Sequence, residues 1–333
     1  MLKIGFIGHG SITSAHHGGI NQLIDEGYEL SAEAYCDIRE SQLQNLGTAR
    51  VYTEIDEFIA KEKGKLDIAD ICLPTCLHCS TAVKALNSGF HVLVEKPMAL
   101  SYEDCILMCE AAKKNNRYLM VAQCVRFSDF IQTAKKYIED KTFGAVKTAC
   151  FKRNGGTPRW GWNDWFIKEE MSGGALLDMH VHDVDALNYL FGIPEAVSSG
   201  AAKIIPGDGY GIVVTNYYYK NGLFTHSTTD WTSDHDVYSN RSMRVDFDKG
   251  YIISAGFGDC FVFRAVNNVT GEVTELSPAK PTSDYYKEIK YFTDCILSGK
   301  PVAECLPEST AESIRIALTE GVSASKNGAR MVL

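Results

Sequence analysis

Ile4-Gly5-Phe6-Ile7-Gly8-His9-Gly10-Ser11-Ile12-Thr13 decides the fold. The apolar run from Leu2 to Ile7 has the length and residue types of a buried strand. Two glycines follow it, and a helical pattern runs from Ser14 to Glu26. A strand, a glycine turn and a helix in that order leave backbone N–H groups free at the helix start, where they can hold a phosphate. Gly8 allows the sharp turn, and Gly10 lets a pyrophosphate approach the backbone. Thr13 stands where the usual third glycine would be. That glycine serves helix–strand packing, so its loss leaves the phosphate site in place.

The alternation continues downstream. Glu29 to Cys36, Val51-Tyr52, Leu66 to Leu73, Phe90 to Val94 and Tyr118 to Gln123 read as strands. Between them, Leu77 to Ser88 is a helix closed by Gly89, and Ser101 to Asn115 is a helix with Ser101 as N-cap and Asp104 three residues on. Strands alternating with helices imply a parallel sheet over residues 1–123. Asp37 follows the second strand, where a carboxylate accepts ribose hydroxyls and favours NAD over NADP. Arg39 beside it is the residue type that accepts a 2′-phosphate. The fifth strand runs into Glu95-Lys96-Pro97. A lysine at the carboxyl end of a parallel strand lies at the crevice where such sheets bind ligands, and the following proline restricts its backbone.

The second half changes character. From Val146 to about Leu276, β-branched and aromatic runs dominate, separated by turns such as Lys220-Asn221-Gly222 and Asp248-Lys249-Gly250. This predicts a mainly antiparallel sheet in a domain spanning 124–333. One helix interrupts it, Gly174 to Phe191, closed by Gly192, and two more end the chain, Tyr285 to Leu297 and Pro307 to Lys326. In the first of these, Asp178, His182 and Asp185 stand at i, i+4 and i+7 and share one face. His180 lies in an apolar stripe with Leu176, Val184, Leu187 and Phe191, and reads as a packed histidine. His182 among carboxylates suits a base for an alcohol proton. Asp178 or Asp185 would orient it, and a lysine ammonium would stabilise the alkoxide.

The loop Arg153-Asn154-Gly155-Gly156-Thr157-Pro158-Arg159-Trp160-Gly161-Trp162-Asn163-Asp164-Trp165-Phe166 mixes aromatic faces with hydrogen-bonding groups. It fits a polyol pocket or aromatic packing at a domain interface. Arg153, Asn154, Trp160 and Trp165 are its candidate substrate contacts. Trp231, His235 and Tyr238 form a second polar–aromatic stretch. Cys76-x-x-Cys79 around His78 and the His180-x-His182 pair look like ligand sets, but neither has completing partners at metal-site spacing, and no metal is expected.

Bulk properties exclude other classes. The net charge of −9 over 333 residues argues against nucleic-acid binding and acidic membranes. No apolar run reaches the ~18 residues of a membrane span. Met1-Leu2-Lys3-Ile4 runs straight into a strand and is no secretory signal. Eleven cysteines, an odd number often set in apolar runs (Cys36, Cys72, Cys124, Cys150), indicate a reducing, cytoplasmic setting.

Together these pieces resemble the glucose–fructose oxidoreductase and inositol dehydrogenase family, Gfo/Idh/MocA. The resemblance covers essentially the whole chain. It rests on Gly8-x-Gly10, Pro74-Thr75-x-x-His78, Gly89 through Pro97 with Glu95-Lys96-Pro97, and Ser172-Gly173-Gly174 through His182-x-x-Asp185. It implies an α/β protein: a Rossmann domain followed by an α/β domain with a large open sheet. It implies Lys96, Asp178 and His182 as the catalytic group, with His182 as general base. The cofactor, NAD or alternatively NADP, would meet Gly8, His9, Gly10, Ser11, Ile12, Asp37, Arg39, Leu73, Pro74, Thr75, His78, Glu95, Lys96 and Gln123. The substrate, a sugar, inositol or related polyol, would meet Lys96, Asp178 and His182. Homodimers or homotetramers are implied. The family often has glycine where His180 stands, which bears on pocket shape. A cofactor sensor without chemistry, or a reductase of a dihydrodiol or cyclic imine, are the alternatives.

Overall fold

The structure is a computed structural model that describes residues 1–203, 207–233, 240–257, 260–278 and 281–333. His235 and Tyr238 lie outside the described residues. In chain order the first elements are β1 (Leu2–Ile7), α1 (Ser11–Asp25), β2 (Leu30–Cys36), β3 (Arg50–Tyr52), α2 (Ile55–Glu62), β4 (Ile68–Ile71), α3 (His78–Ser88), β5 (His91–Glu95), α4 (Tyr102–Asn115) and β6 (Leu119–Ala122). Then come α5 (Asp129–Glu139), β7 (Val146–Gly156), α6 (Glu169–Ser172), α7 (Gly174–Asp178), α8 (Val181–Phe191), β8 (Ala196–Ala202), β9 (Ile212–Tyr218) and β10 (Phe224–Ser233). The chain continues through β11 (Asn240–Phe247), β12 (Gly250–Phe257), β13 (Cys260–Asn267), β14 (Val273–Glu275), α9 (Asp284–Ser298), α10 (Pro307–Ser325) and β15 (Met331–Val332).

β1 to β6 form one parallel sheet in the order β3-β2-β1-β4-β5-β6. The order reverses between β1 and β4, so the carboxyl ends of these two strands flank a crevice. Local signals set the connections as the sequence predicts. Ser101 Oγ accepts the Asp104 N–H (3.1 Å) and donates to its carboxylate (2.8 Å), capping α4. Gly89 ends α3 with φ +97°, a conformation that favours glycine.

The chain folds as two compact units. The first comprises Met1–Phe127 and Thr282–Ala311, the second Ser128–Pro281 and Glu312–Leu333. This differs from an undivided second domain running from 124 to 333, because Thr282–Ala311 packs on the first unit. Tyr286, Ile289, Phe292 and Cys295 of α9 share a core with Ile20, Leu23, Leu93 and Met120. Gly19 of α1 makes room for them: a Cβ there would lie 2.9 Å from Ile289 Cδ1 and 3.1 Å from Tyr286 Cα. Arg126 is fully buried and donates to the Glu304 carbonyl (2.8 Å) and to Ser309 Oγ (3.3 Å). A helix's apolar period shows that it packs, and does not show on which core.

The second unit holds a nine-stranded sheet, ordered β14-β13-β12-β11-β7-β10-β9-β8-β15. β7 and β10 run parallel, and every other pair is antiparallel. Thr225, Ser227 and Thr229 alternate along β10 as fully buried positions, so part of the buried face is lined with hydroxyls. The expected single helix from Gly174 to Phe191 is broken. The His180 N–H donates to the Ala175 carbonyl five residues back, at 2.7 Å. One extra residue is thereby accommodated in the turn between α7 and α8, as in a π-bulge. Among the described residues no helix is long and apolar enough to cross a membrane.

Phe292→Ala removes a side chain that is 1 % exposed in the first core. It is expected to lower hydrogen-exchange protection of β1, β4 and β6 by about 3–5 kcal/mol, with β7, β9 and β10 unchanged. Loss in both sheets, or in neither, contradicts the grouping of α9 with the first unit.

Candidate active site

Two glycines of the first turn have different tasks. Gly8 has φ +95°, and a Cβ on it would lie 2.2 Å from the Cys72 carbonyl oxygen. Its backbone lies against the end of β4, so glycine is required for the fold. Gly10 has φ −94° and ψ −163°, allowed to any residue. A Cβ there would meet nothing nearer than Arg39 Nη2 at 4.0 Å. Nothing in the fold demands glycine at 10, whereas a ligand lying on the backbone does. α1 starts at Ser11 with no side-chain cap and no acidic residue in its first turn, leaving its positive end for an anion. Ser11 is exposed and Ile12 half-buried. Thr13, fully buried, donates Oγ1 to the Gly8 carbonyl at 3.0 Å. The threonine thus fastens the turn where a third glycine would only have packed. These residues fit a pyrophosphate.

Asp37 follows β2, and its carboxylate is fully engaged. Oδ1 accepts from the Arg39 N–H and Nε, both at 2.9 Å. Oδ2 accepts from the His9 N–H at 2.9 Å and from Arg39 Nη2 at 2.8 Å. A carboxylate offers about four lone-pair sites, and these four donors use them. Burial raises the Asp37 pKa, but the Arg39 hydrogen bonds outweigh it, so the carboxyl lies below its ordinary value. Ribose hydroxyls can reach this carboxylate only when the half-buried Arg39 guanidinium swings away. The His9 ring is fixed separately, with Nδ1 at 2.7 Å from the Gln42 carbonyl.

Past β4, Leu73 and Pro74 are half-buried, and Thr75 is 1 % exposed with no hydrogen-bond partner for Oγ1. Past β6, Gln123 is 0 % exposed, and neither its amide oxygen nor its nitrogen has a partner. Each orphaned polar group costs about 1–3 kcal/mol. Polar atoms left open at the carboxyl ends of β4 and β6, on either side of β5 in one parallel sheet, fit a dinucleotide. His78 differs from expectation. It is 1 % exposed, and its ring nitrogens lie 2.8 Å from the Pro97 and Leu73 carbonyls. It braces the loop against the segment after Lys96, with no ring nitrogen left for a cofactor.

Glu95 is likewise turned to internal work. Its Oε1 lies 3.0 Å from His16 Nε2, and its Oε2 accepts the Lys96 N–H at 2.9 Å. His16 Nδ1 lies 2.8 Å from Asp70 Oδ2. His16, Asp70 and Glu95 are 0 %, 1 % and 5 % exposed. Burial lowers the His16 pKa, but the charge of Asp70 and its hydrogen bond outweigh it, so the imidazole titrates well above its ordinary value. Burial raises Glu95, and the His16 hydrogen bond more than offsets it. The Lys96-Pro97 peptide is cis, and Lys96 is half-buried.

His16, Asp70 and Cys72 bring three donor atoms within 4.8 Å of one another. Tetrahedral zinc would hold nitrogen and oxygen ligands about 3.3 Å apart, given bonds near 2.0–2.1 Å. The observed 2.8 Å is a hydrogen bond. Around His78, Cys76 is exposed, while Cys79 donates to the Asp104 carbonyl at 3.5 Å.

In the second unit, the break at Met179-His180 puts Asp178 at the end of α7 and His182 in the first turn of α8. The i, i+4, i+7 spacing therefore does not define one helical face. Asp178 is 8 % exposed and His182 half-buried. Asp185 accepts from Ser313 Oγ of α10 at 2.8 Å and is thereby tied to α10. His180 is fully buried, with Nε2 2.8 Å from Glu320 Oε2 and Nδ1 2.8 Å from Thr229 Oγ1. It is the packed, satisfied histidine that the apolar stripe predicts.

The expected substrate residues separate. Arg153 on β7 donates to Asp183 from Nε (3.1 Å) and Nη2 (2.7 Å), both residues being buried. It is a structural ion pair, because a guanidinium in the core must be neutralised there, and Arg153 serves the core where a substrate contact was expected. Asn154 is half-buried with an unpartnered Oδ1. Trp160 is 67 % exposed, and Trp165 stacks on Phe166 with ring centroids 3.9 Å apart. Trp231 is 2 % exposed, with Nε1 unpartnered. The sequence reading missed His16 and Asp70. The signal was present, since an aspartate inside Ile68-Ala69-Asp70-Ile71 must have a buried partner.

Known proteins agree with this architecture. Residues 2–123 match the model of the oxidoreductase family with an NAD-binding Rossmann fold, and 131–253 match the GFO/IDH/MocA C-terminal domain. The chain is 31% identical over 206 residues to the D-glucoside 3-dehydrogenase of Escherichia coli K12, covering 60% of this chain and 57% of that protein. It is 34% identical over 148 residues to the 2,7-anhydro-N-acetylneuraminate hydratase of the same organism, covering 44% of this chain and 40% of that protein. The matched region thus spans less than two thirds of either relative. The fold is shared with the WlbA dehydrogenase of Bordetella pertussis, solved with NADH and UDP-GlcNAcA, at a TM-score of 0.83 and 23% identity, covering 100% of this chain and 98% of that one. With a parallel sheet reversing at β1/β4, an open glycine turn and family models matched in both halves, the chain belongs to the Gfo/Idh/MocA oxidoreductase family.

Proposed function

We propose that the protein is an NAD(P)-dependent oxidoreductase moving a hydride between nicotinamide and a carbinol or ketone carbon of a sugar, inositol or related polyol. The observation that carries this reading is the open turn at Gly10, with the unpartnered Thr75 and Gln123 at the carboxyl ends of β4 and β6 in the same sheet. Bound nicotinamide supplies the hydride acceptor for oxidation, or the donor for reduction. His182 takes the hydroxyl proton at a ring nitrogen, and Asp178 orients that ring. Lys96 Nζ stabilises the oxygen as it becomes an alkoxide. At ~4 Å and an effective dielectric near 20, this attraction is about 4 kcal/mol. The D-glucoside dehydrogenase relative supports a sugar-like substrate. Asn154, Trp160 and Trp165 remain its candidate contacts.

A second reading is redox-neutral: the hydride is taken from the substrate and returned within one turnover. The hydratase among the relatives favours it. We place the protein in the cytoplasm as a homodimer or homotetramer. Ten of the eleven cysteines are seen as free thiols, which supports a reducing compartment.

The test is absorbance at the reduced-nicotinamide band, with NAD or NADP and a panel of inositols, aldoses, amino sugars and sugar acids. A signal with one polyol is expected, and Lys96→Ala should lower turnover at least 100-fold with NADH affinity within threefold. Unchanged turnover in that variant overturns the role of Lys96. No signal alongside substrate consumption moves the reading to the redox-neutral one. Neither signal nor consumption leaves a sensor.

Arg39→Ala frees the lone pairs of Asp37 and removes a cation that could meet a 2′-phosphate. Direct titration should show the ratio of NAD to NADP affinity rising at least tenfold. An unchanged or falling ratio contradicts this account of Asp37.

A further inference from the structure

Behind Lys96 lies a chain of hydrogen bonds through three buried side chains. Asp70 of β4 meets His16 of α1, His16 meets Glu95 of β5, and Glu95 holds the main-chain N–H of Lys96. Every link is 2.8–3.0 Å. None of the three side chains is needed for the hydride step, and all are ionisable groups in the core. Burying such groups is costly unless they are paired. Apolar residues would have filled the same space at lower cost.

We propose that His16 is a positioning residue for Lys96, acting through Glu95, and links the helix of the glycine turn to the lysine's strand end. This rests on the reading of Lys96 as the alkoxide-stabilising group. The two oxygens of Glu95 face opposite ways, one toward α1 and one toward the Lys96 backbone. Fixing one oxygen fixes the plane of the carboxylate and hence the other. His16 can hold it because Asp70 holds His16: a ring gripped at both nitrogens has no rotational freedom. The doubly charge-paired imidazole suits the imidazolium, with both N–H groups donating.

The groups around His16 are consistent with that charge. From β4 come Asp70 and the Cys72 thiol, with Sγ 3.8 Å from Nδ1, and from β5 comes Glu95. From α9 come Tyr285, whose ring centroid lies 6.2 Å from that of His16, and Glu288. Glu288 is fully buried with neither oxygen partnered. Burial pushes its pKa well up, so it is the neutral acid of the cluster. Burial pushes the Cys72 thiol up to about 12, so it stays protonated. Two carboxylates then face one imidazolium, with the Lys96 ammonium beyond.

The test reads the lysine directly. Reductive methylation with 13C-formaldehyde labels each lysine with a dimethylamine NMR signal, and Lys96 is assigned by the signal lost in Lys96→Ala. In His16→Ala the Lys96 signal should shift or split while the other lysines stay in place. Turnover of the panel substrate should fall 10- to 100-fold with NADH affinity within threefold. Glu95→Ala should act alike, and the double variant should lose no more than either single one, because one chain is cut twice. Glu95→Gln, whose oxygen accepts the Lys96 N–H and whose nitrogen can donate to a neutral His16, should retain at least tenfold more turnover than Glu95→Ala. It also reads the link if His16→Ala does not fold.

An unmoved Lys96 signal in His16→Ala overturns the proposal. So do additive losses in the double variant, Glu95→Gln no better than Glu95→Ala, or loss of NADH affinity with turnover kept. Lys96→Ala at full turnover is a different failure, that of the catalytic reading. A moved signal with that result would leave His16 positioning a lysine of no catalytic use and would overturn the role assigned here.

Discussion

The candidate cofactor site depends on how closely Gly8 lies against the Cys72 carbonyl. A methyl group at Gly8 would lie 2.2 Å from that oxygen. The contact joins the carboxyl ends of β1 and β4 where the strand order reverses, and the Cys72 N–H returns a bond to the Ile7 carbonyl at 2.8 Å. From there α1 starts one residue after Gly10 and carries His16 inward on its buried side. Asp70 lies two residues before Cys72 on the other side of the same contact. The glycine turn and the Asp70–His16–Glu95 chain are therefore consequences of one backbone approach, seen from its two sides.

The second unit solves a comparable problem with polar packing. Hydroxyls of Thr215, Ser227 and Thr229 line buried positions, and His180 and Glu320 meet among them. Such a network stabilises only when its members are satisfied. The Glu320–His180 contact fixes the residue that sits in the extra turn between α7 and α8. Asp178 and His182, two residues away on either side, inherit their placement from it. A chain with glycine at 180 would have to hold this turn by other means.

Much of this was legible in the sequence. The strands of the first sheet, the caps at Ser101 and Gly89, the mainly antiparallel second sheet and the buried His180 follow from local rules. What was not legible depends on long-range partners. The amphipathic period of α9 announces a packed helix without saying that Gly19 of α1 receives it. Counting by 3.6 residues per turn cannot foresee an extra residue at Met179-His180, so the shared face of Asp178, His182 and Asp185 was an artefact of the count. Local sequence offers Arg153 no partner, because Asp183 lies 30 residues away. The Pro74-Thr75-x-x-His78 motif points His78 at a cofactor, and only the fold shows the Leu73 and Pro97 carbonyls on its ring.

The turn before α1 leaves open backbone that the fold does not require, which suits a ligand lying on it. Gly10 tests it directly, since its backbone suits any residue and a Cβ there meets no protein atom closer than 4.0 Å. The measurement is calorimetric titration of NADH into the wild-type protein and Gly10→Val, with thermal midpoints recorded for both. The expected midpoint in the variant lies within a few degrees of wild type, because a stiffer unfolded chain offsets the poorer N-cap of α1, while NADH affinity falls at least 100-fold. Equal affinity in the two folded proteins would contradict this, and would mean that the dinucleotide does not lie on this turn.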